Sequence, residues 1–283
     1  MFENLTHHHG QLFSVIYFGT ICLIAVTESL WPRRLLAASM RTRWFGNISI
    51  HLLDVALVRS VFPLLMVGVA LWAESAQWGM LNQWQASPAV AFLLALILLD
   101  SGQYAQHYLL HQVPWLWRLH RVHHTDHDYD FSTGLRFHPI EGIITNGLNI
   151  LLVILLGLPP TAVAVYSLIH AFWAIFAHSN VRIPNILDRV IRVALVTPDL
   201  HRTHHSAEPG ECMTNFGGVT PLWDRLFDTY LDQPAKGHID MTIGLPGYEY
   251  EDELRLGRML LLPFQQQKTE SAVKLAQRIM PYE

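Results

Sequence analysis

The chain of 283 residues is 51% apolar and only 15% charged, and its formal net charge is −4. A soluble domain carries about 25% charged residues, so an ordinary water-soluble globule, a disordered chain and a low-complexity repeat are all excluded. The slightly acidic balance leaves no basic surface to drive nucleic-acid binding.

The charge shortage is local. Residues 11–27, 75–99 and 142–181 contain no Asp, Glu, Lys or Arg, and 60–73 adds a shorter such run. A bilayer-spanning helix needs about 20 mostly apolar residues. The pattern predicts spans at 11–27, 48–73, 86–106, 142–158 and 161–177, with Pro159-Pro160 breaking the last run into two arms. The N-terminus lacks the basic n-region of a cleaved signal, so 11–27 reads as a retained membrane helix. The His7-His8-His9 run beside it is assigned no function.

Basic residues then set the orientation. The first connection holds Arg33, Arg34, Arg41 and Arg43, the second holds no Lys or Arg, and the third holds Arg118, Arg121 and Arg136. The turn at 157–160 again has none, and Arg182, Arg189, Arg192 and Arg202 follow the last span. The positive-inside rule therefore places the N-terminus outside, and residues 107–141 and everything after 178 on the cytoplasmic side. Within the second span, His51, Asp54 and Arg59 are costly in lipid. His51 and Asp54 share a helical face and are expected to point into the protein. Cys22 and Cys212 form no CxxC pair, so disulfides and thiolate zinc sites are not expected.

Histidine carries the chemistry: the chain has 17, most of them between 107 and 205. His107 and His111 lie four apart at the end of the third span, so both rings project from one helical face. His120-Arg-Val-His123-His124 and His201-Arg-Thr-His204-His205 follow. In each HxxHH unit, spacings of three and four are expected to deliver the imidazoles of one turn to a common point. Neutral imidazole suits iron, zinc, copper or nickel. Eight such nitrogens are too many for one tetrahedral ion and suit two ions held close together. His178, directly after the fifth span, is expected as a ninth ligand. His138 is a candidate either as a ligand or as a supporting hydrogen-bond partner. His170 reads as a core histidine, and His127 and His238 as loop residues, His127 solvated among the neighbouring Asp residues.

These elements resemble the fatty acid hydroxylase/sterol desaturase superfamily of membrane non-haem diiron proteins. The resemblance rests on His107-x3-His111, His120-Arg-Val-His123-His124, Arg136-Phe-His138-Pro-Ile-Glu141, His178-Ser-Asn180 and Thr197-Pro-Asp-Leu-His201-Arg-Thr-His204-His205-Ser. Asn215-Phe-Gly-Gly and Trp223-Asp224-Arg225-Leu226-Phe227 extend it over roughly residues 90–232. One departure is Asp228, where the family more often has Gly. The resemblance implies two iron ions on His107, His111, His120, His123, His124, His201, His204 and His205, with His178 added. It further implies dioxygen as co-substrate and oxidation of an unactivated C–H bond in a lipid or sterol-like substrate, by hydroxylation or desaturation. Asp100, Glu141 and Asp199 are candidates to hold the ligating imidazoles in one tautomer. Trp115, Trp117, Trp173 and Trp223 receive no catalytic role.

The expected fold is an all-α integral membrane protein of four to five embedded helices, with a cytoplasmic helical cap carrying the dimetal site. Membrane helices occupy 1–85, the catalytic domain 86–232 and an amphipathic tail 233–283, with helices over 251–262 and 267–279 covering the metal face or forming a plain appendage. No GxGxxG fingerprint, haem segment or cysteine cluster is present, so a separate electron donor of ferredoxin or cytochrome type is implied. A membrane metal transporter or store is the alternative, and a zinc hydrolase lacks its HExxH motif.

Overall fold

The computed structural model describes residues 8–37, 39–84, 87–248 and 254–266, and these are all-helical apart from two isolated bridges, Pro32 with Val181 and Ser206 with Ile243. Helix α1 covers His9–Leu30 and α2 Met40–Val61, followed by α3 (Met66–Ser75) and the short α4 (Met80–Trp84). Helix α5 runs Pro88–Gln112 and α6 Pro114–His124, and the hairpin pair is α7 (Pro139–Leu156) and α8 (Pro160–Ala177). Proline recurs at the first position of α5, α6, α7 and α8, where its missing N–H costs nothing. Gly157 ends α7 at φ +63°, a left-handed turn that lets Pro159-Pro160 start α8.

Five segments are long and apolar enough to cross a membrane: His9–Leu30, Met40–Trp84, Pro88–Gln112, Pro139–Leu156 and Pro160–Ala177. Val15, Phe18, Leu52, Leu93 and Leu155 stand exposed along them, as lipid-facing side chains do. The chain is an integral membrane protein. Inside, Ala70, Ala95, Val153, Ala162 and Val163 join α3, α5, α7 and α8 in one core, and their small volume lets the backbones approach closely.

Two expectations need correction. The second span is not one helix over 48–73: it starts at Met40 and breaks after Val61, because Pro63 has no N–H to continue the ladder and disfavours helix at Phe62. The Asp residues around His127 are not solvated either. Asp126, Asp128 and Asp130 are buried, and Arg43 of α2 donates to Asp126 at 2.8 Å and to Asp130 at 2.6 Å.

Beyond α8, short helices α9 (Asn185–Ile191) and α10 (Pro198–His204) begin a cap at the same end of the bundle as α6. The helix expected over 251–262 is seen from Leu256 to Leu261, passing into a 3-10 turn at Leu262–Phe264. Its Met259 and Leu262 pack with Ile50 of α2 and Val122 of α6. The expected helix at 267–279 lies outside the described residues.

Candidate metal centre

Three chain breaks bring the histidines together. Helix α5 carries His107 and His111 in its last two turns; Val113-Pro114 then turns the chain, so α6 returns His120, His123 and His124 to the same place. Helix α8 ends at Ala177 and leaves His178 in the C-cap position. Helix α10, begun by Thr197 and Pro198, adds His201 and His204, and His205 caps its end.

The rings form two groups, within each of which the ligand atoms lie within 4.8 Å of one another. The first is His107, His111, His120, His124 and His204; the second is His123, His178, His201 and His205. This overturns the expectation that each HxxHH turn serves a common point. Positions i and i+4 stay together, as His120 with His124 and His201 with His205, while the i+3 ring crosses to the other group. The reason is angular: i and i+4 differ by about 40° around a helix of 3.6 residues per turn and i+3 falls on the other side of i. The two boxes therefore interlock, His123 joining the second group and His204 the first. The groups touch, with the His124 and His205 ring centroids 4.5 Å apart.

Hydrogen bonds fix which nitrogen faces inward. The Nδ1 atoms of His107, His178 and His204 donate to the carbonyls of Phe216 at 2.9 Å, Ala174 at 2.6 Å and Thr214 at 2.7 Å. His120 Nδ1 lies 2.7 Å from Glu141 Oε1. This leaves Nε2 of His107, His120 and His204 buried with no partner, and both nitrogens of His111 and His205 likewise. His178 Nε2 stands 3.1 Å from His123 Nε2 and 3.0 Å from His201 Nε2. Two nitrogens about 2.1 Å from one ion and at right angles about it would be roughly 3 Å apart, so the donor set fits a bound metal. Burial pushes His120 down to about 3 and His178 to about 4, and holds His123, His124, His201, His204 and His205 well below the ordinary imidazole range. All are thereby kept neutral, the ligating form.

The other candidates separate. Glu141 touches a grouped ring. Asp100 instead accepts from Trp223 Nε1 at 2.8 Å and Tyr166 Oη at 3.1 Å, and Asp199 pairs with Arg33 and Arg202. His138 stands outside both groups: its Nδ1 accepts from Ile140 N at 3.2 Å and caps α7. His238 is buried, with Nε2 3.5 Å from Asp199. Sequence reasoning missed Arg43, Asn47 and Glu28, which hold the loops behind the rings; Glu28 Oε2 accepts from the amides of Phe131 and Asn180. Their only sequence signal is a polar group within or at the edge of an apolar run, as His51 and Asp54 are.

The Asn215-Phe-Gly-Gly and Trp223-Asp224 segments act behind the rings as well. Asp224 accepts from the amides of Phe216 at 2.7 Å and Gly217 at 2.9 Å, fixing the carbonyl that orients His107. A cavity of about 640 Å³ runs from His107, His120, His123, His178 and His201 between the helices toward Pro63 and the first turns of α1. His51, Asp54 and His170 line it, so the expected inward face of α2 is present.

The fatty acid hydroxylase family model matches residues 92–229. Ornithine lipid hydroxylase OlsE of Rhizobium tropici is 30% identical over 249 residues, covering 84% of this chain and 72% of that protein. The chain belongs to the fatty acid hydroxylase family. Alkylglycerol monooxygenase of Homo sapiens is 32% identical over 139 residues, 48% of this chain and 29% of that protein. Cholesterol 25-hydroxylase of Homo sapiens is 26% identical over 48% of this chain and 50% of that protein. The chain thus spans half or less of these two family members' length. No solved structure matches. The family region coincides with α5 through the cap, the stretch that carries all nine grouped histidines.

Proposed function

We propose that this membrane oxidoreductase hydroxylates a lipid substrate with dioxygen at two iron ions, one held by each histidine group. The observation that carries the reading is the set of nine converging imidazoles, with their orphaned buried nitrogens, at the end of a cavity between the membrane helices. Zinc, which has no redox chemistry, does not suit an oxidoreductase, and the relatives are named hydroxylases and monooxygenases, which favours oxygen insertion over desaturation. Bound here, a redox-active ion pair supplies the activation of dioxygen and the oxidising power a C–H bond demands.

The chain's own part is geometric. Carbonyls of Phe216, Ala174 and Thr214 hold three rings in one tautomer, and Glu141 holds a fourth. The buried cap excludes water, and the cavity leads an apolar substrate in from the bilayer side. The Arg-rich connections support a metal end that faces the cytoplasm, and there a separate donor of ferredoxin or cytochrome type would deliver electrons. A transporter would set its ligands on a route across the bilayer; these rings all sit at one end of the bundle.

The test is mass spectrometry of total lipids from aerobic, iron-replete cells with and without the protein, co-expressed with a competent donor. A lipid gaining one oxygen, lost with His123→Ala and with His204→Ala, is expected. An unchanged lipid profile, or full product from either variant, overturns the proposal.

A further inference from the structure

Helix α9 is turned inside out for a segment standing in water. It buries a charged pair, Asp188 with Arg192 at its C-terminal end. Its apolar side faces outward: Ile186, Val190 and Val193, just past the helix, are 81%, 66% and 68% exposed. A helix against water does the reverse, because burying charge costs free energy and burying Val or Ile contributes it. The inversion fits a helix whose outer side meets an apolar medium.

The apolar face is continuous across two segments. Arg225 donates from Nη1 to Val193 O and from Nη2 to Arg192 O, both at 2.7 Å, which ties the short helix Leu222–Leu226 against the end of α9. Leu226 and Phe227 are exposed there as well. Contiguous exposed apolar surface marks an interaction site.

Depth decides the occupant. Trp173 Nε1 of α8 donates to Val196 O at 2.8 Å, and Leu195 packs on the core shared by α3, α5, α7 and α8. Trp173 precedes the end of α8 by four residues, about 6 Å along the axis. At the other side, Phe227 stacks on Tyr104 of α5 with ring centroids 5.5 Å apart, eight residues before that helix ends. Both sides of the face therefore meet the spans within their length, and the face continues the lipid-facing surface of the bundle.

We infer that α9 and the Leu222–Leu226 helix lie in the plane of the membrane, their exposed side chains seated at the acyl-chain boundary of the leaflet at the metal end. The occupant of the face is lipid. Arg182 and Arg189, exposed on the same stretch, have the stem length to carry their charges to the phosphate level. Because α9 leads through Val196 into α10, which carries His201 and His204, the leaflet grips the cap beside the metal end. The inference is independent of which metal the histidines hold and of the reaction.

The experiment attaches a nitrobenzoxadiazole fluorophore to Val190→Cys in the metal-loaded full chain, at one copy per phosphatidylcholine nanodisc. Cys22→Ala removes the exposed native thiol, and Cys212 is buried. Doxyl-labelled lipid is expected to quench most of the emission and aqueous iodide little. A label on Lys236→Cys, at an exposed ion pair with Glu208, shows the opposite and serves as the aqueous reference. Leu226→Cys repeats the reading on the other half of the face and serves where Val190→Cys does not fold. Quenching by iodide in place of doxyl lipid puts the face in water and overturns the inference. Protection from both quenchers gives the face to protein, a second copy or another segment of this chain, and overturns it equally.

Discussion

Glu141 bonds directly to a grouped ring, through the 2.7 Å contact with His120 Nδ1. Outer partners of this kind are worth about 10–100-fold in metal affinity or activity. Glu141→Ala is therefore expected to lower iron occupancy or turnover by that factor while Glu141→Gln, which keeps an acceptor, loses less. Iron content and product yield measured together check it; an Ala variant equal to wild type would remove the assigned role. The buried imidazoles also carry a signed pH dependence. His120 and His178 titrate near 3 and 4 when folded against about 6.5 when unfolded. Between those values the unfolded chain binds more protons, so stability is fully present above about pH 6.5 and is lost as pH falls toward about 3. Metal-free protein in detergent should melt at a lower temperature at pH 5 than at pH 7.5. A flat profile, or one rising toward acid, contradicts the neutral-imidazole account.

Between elements, the telling contact is the clamp of α2 on the loop after the second box. Arg43, fully buried, pairs with Asp126 and Asp130, and Asn47 adds bonds to Asp126 and Ser132. Removing one partner of such a pair costs about 3–5 kcal/mol, because the other charges stay buried. Arg43→Met should therefore destabilise the protein by that order and release the loop that continues α6. Thermal melting in detergent reads the loss; a change under about 1 kcal/mol would show the network to be open to water. This clamp was not legible in the sequence, where Arg43 counts only as a basic loop residue and the Asp run looks solvent-facing. The boxes were legible because helical spacing needs no partner to be read. What spacing could not give was the division of each box between two groups, or the break at Pro63 inside an otherwise apolar run. Both depend on which neighbours the turn meets. Asp100 and Asp199 look as suitable as Glu141 by sequence, and only packing shows that they hold Trp223 and Arg202 instead.

For the molecule as a whole, element order sets the ends of α5, α6, α8 and α10 at one end of the bundle and the α3–α4 and α7–α8 turns at the other. Arg-rich connections fall at the first end and Arg-free ones at the second, so the metal end is expected to face the cytoplasm. A Gln77→Cys variant should react with a membrane-impermeant maleimide added outside intact cells, while a cysteine replacing exposed Arg41 should react only after permeabilisation. The reverse pattern would turn the molecule over and move the electron donor to the other side. The most direct test of the central claim is the ratio of iron to protein in the purified chain, measured by elemental analysis. Wild type is expected to hold two ions per chain, and His178→Ala, confined to the second group, about one. A wild-type ratio of one would contradict the two-ion centre, and a His178→Ala ratio equal to wild type would remove His178 from its ligands.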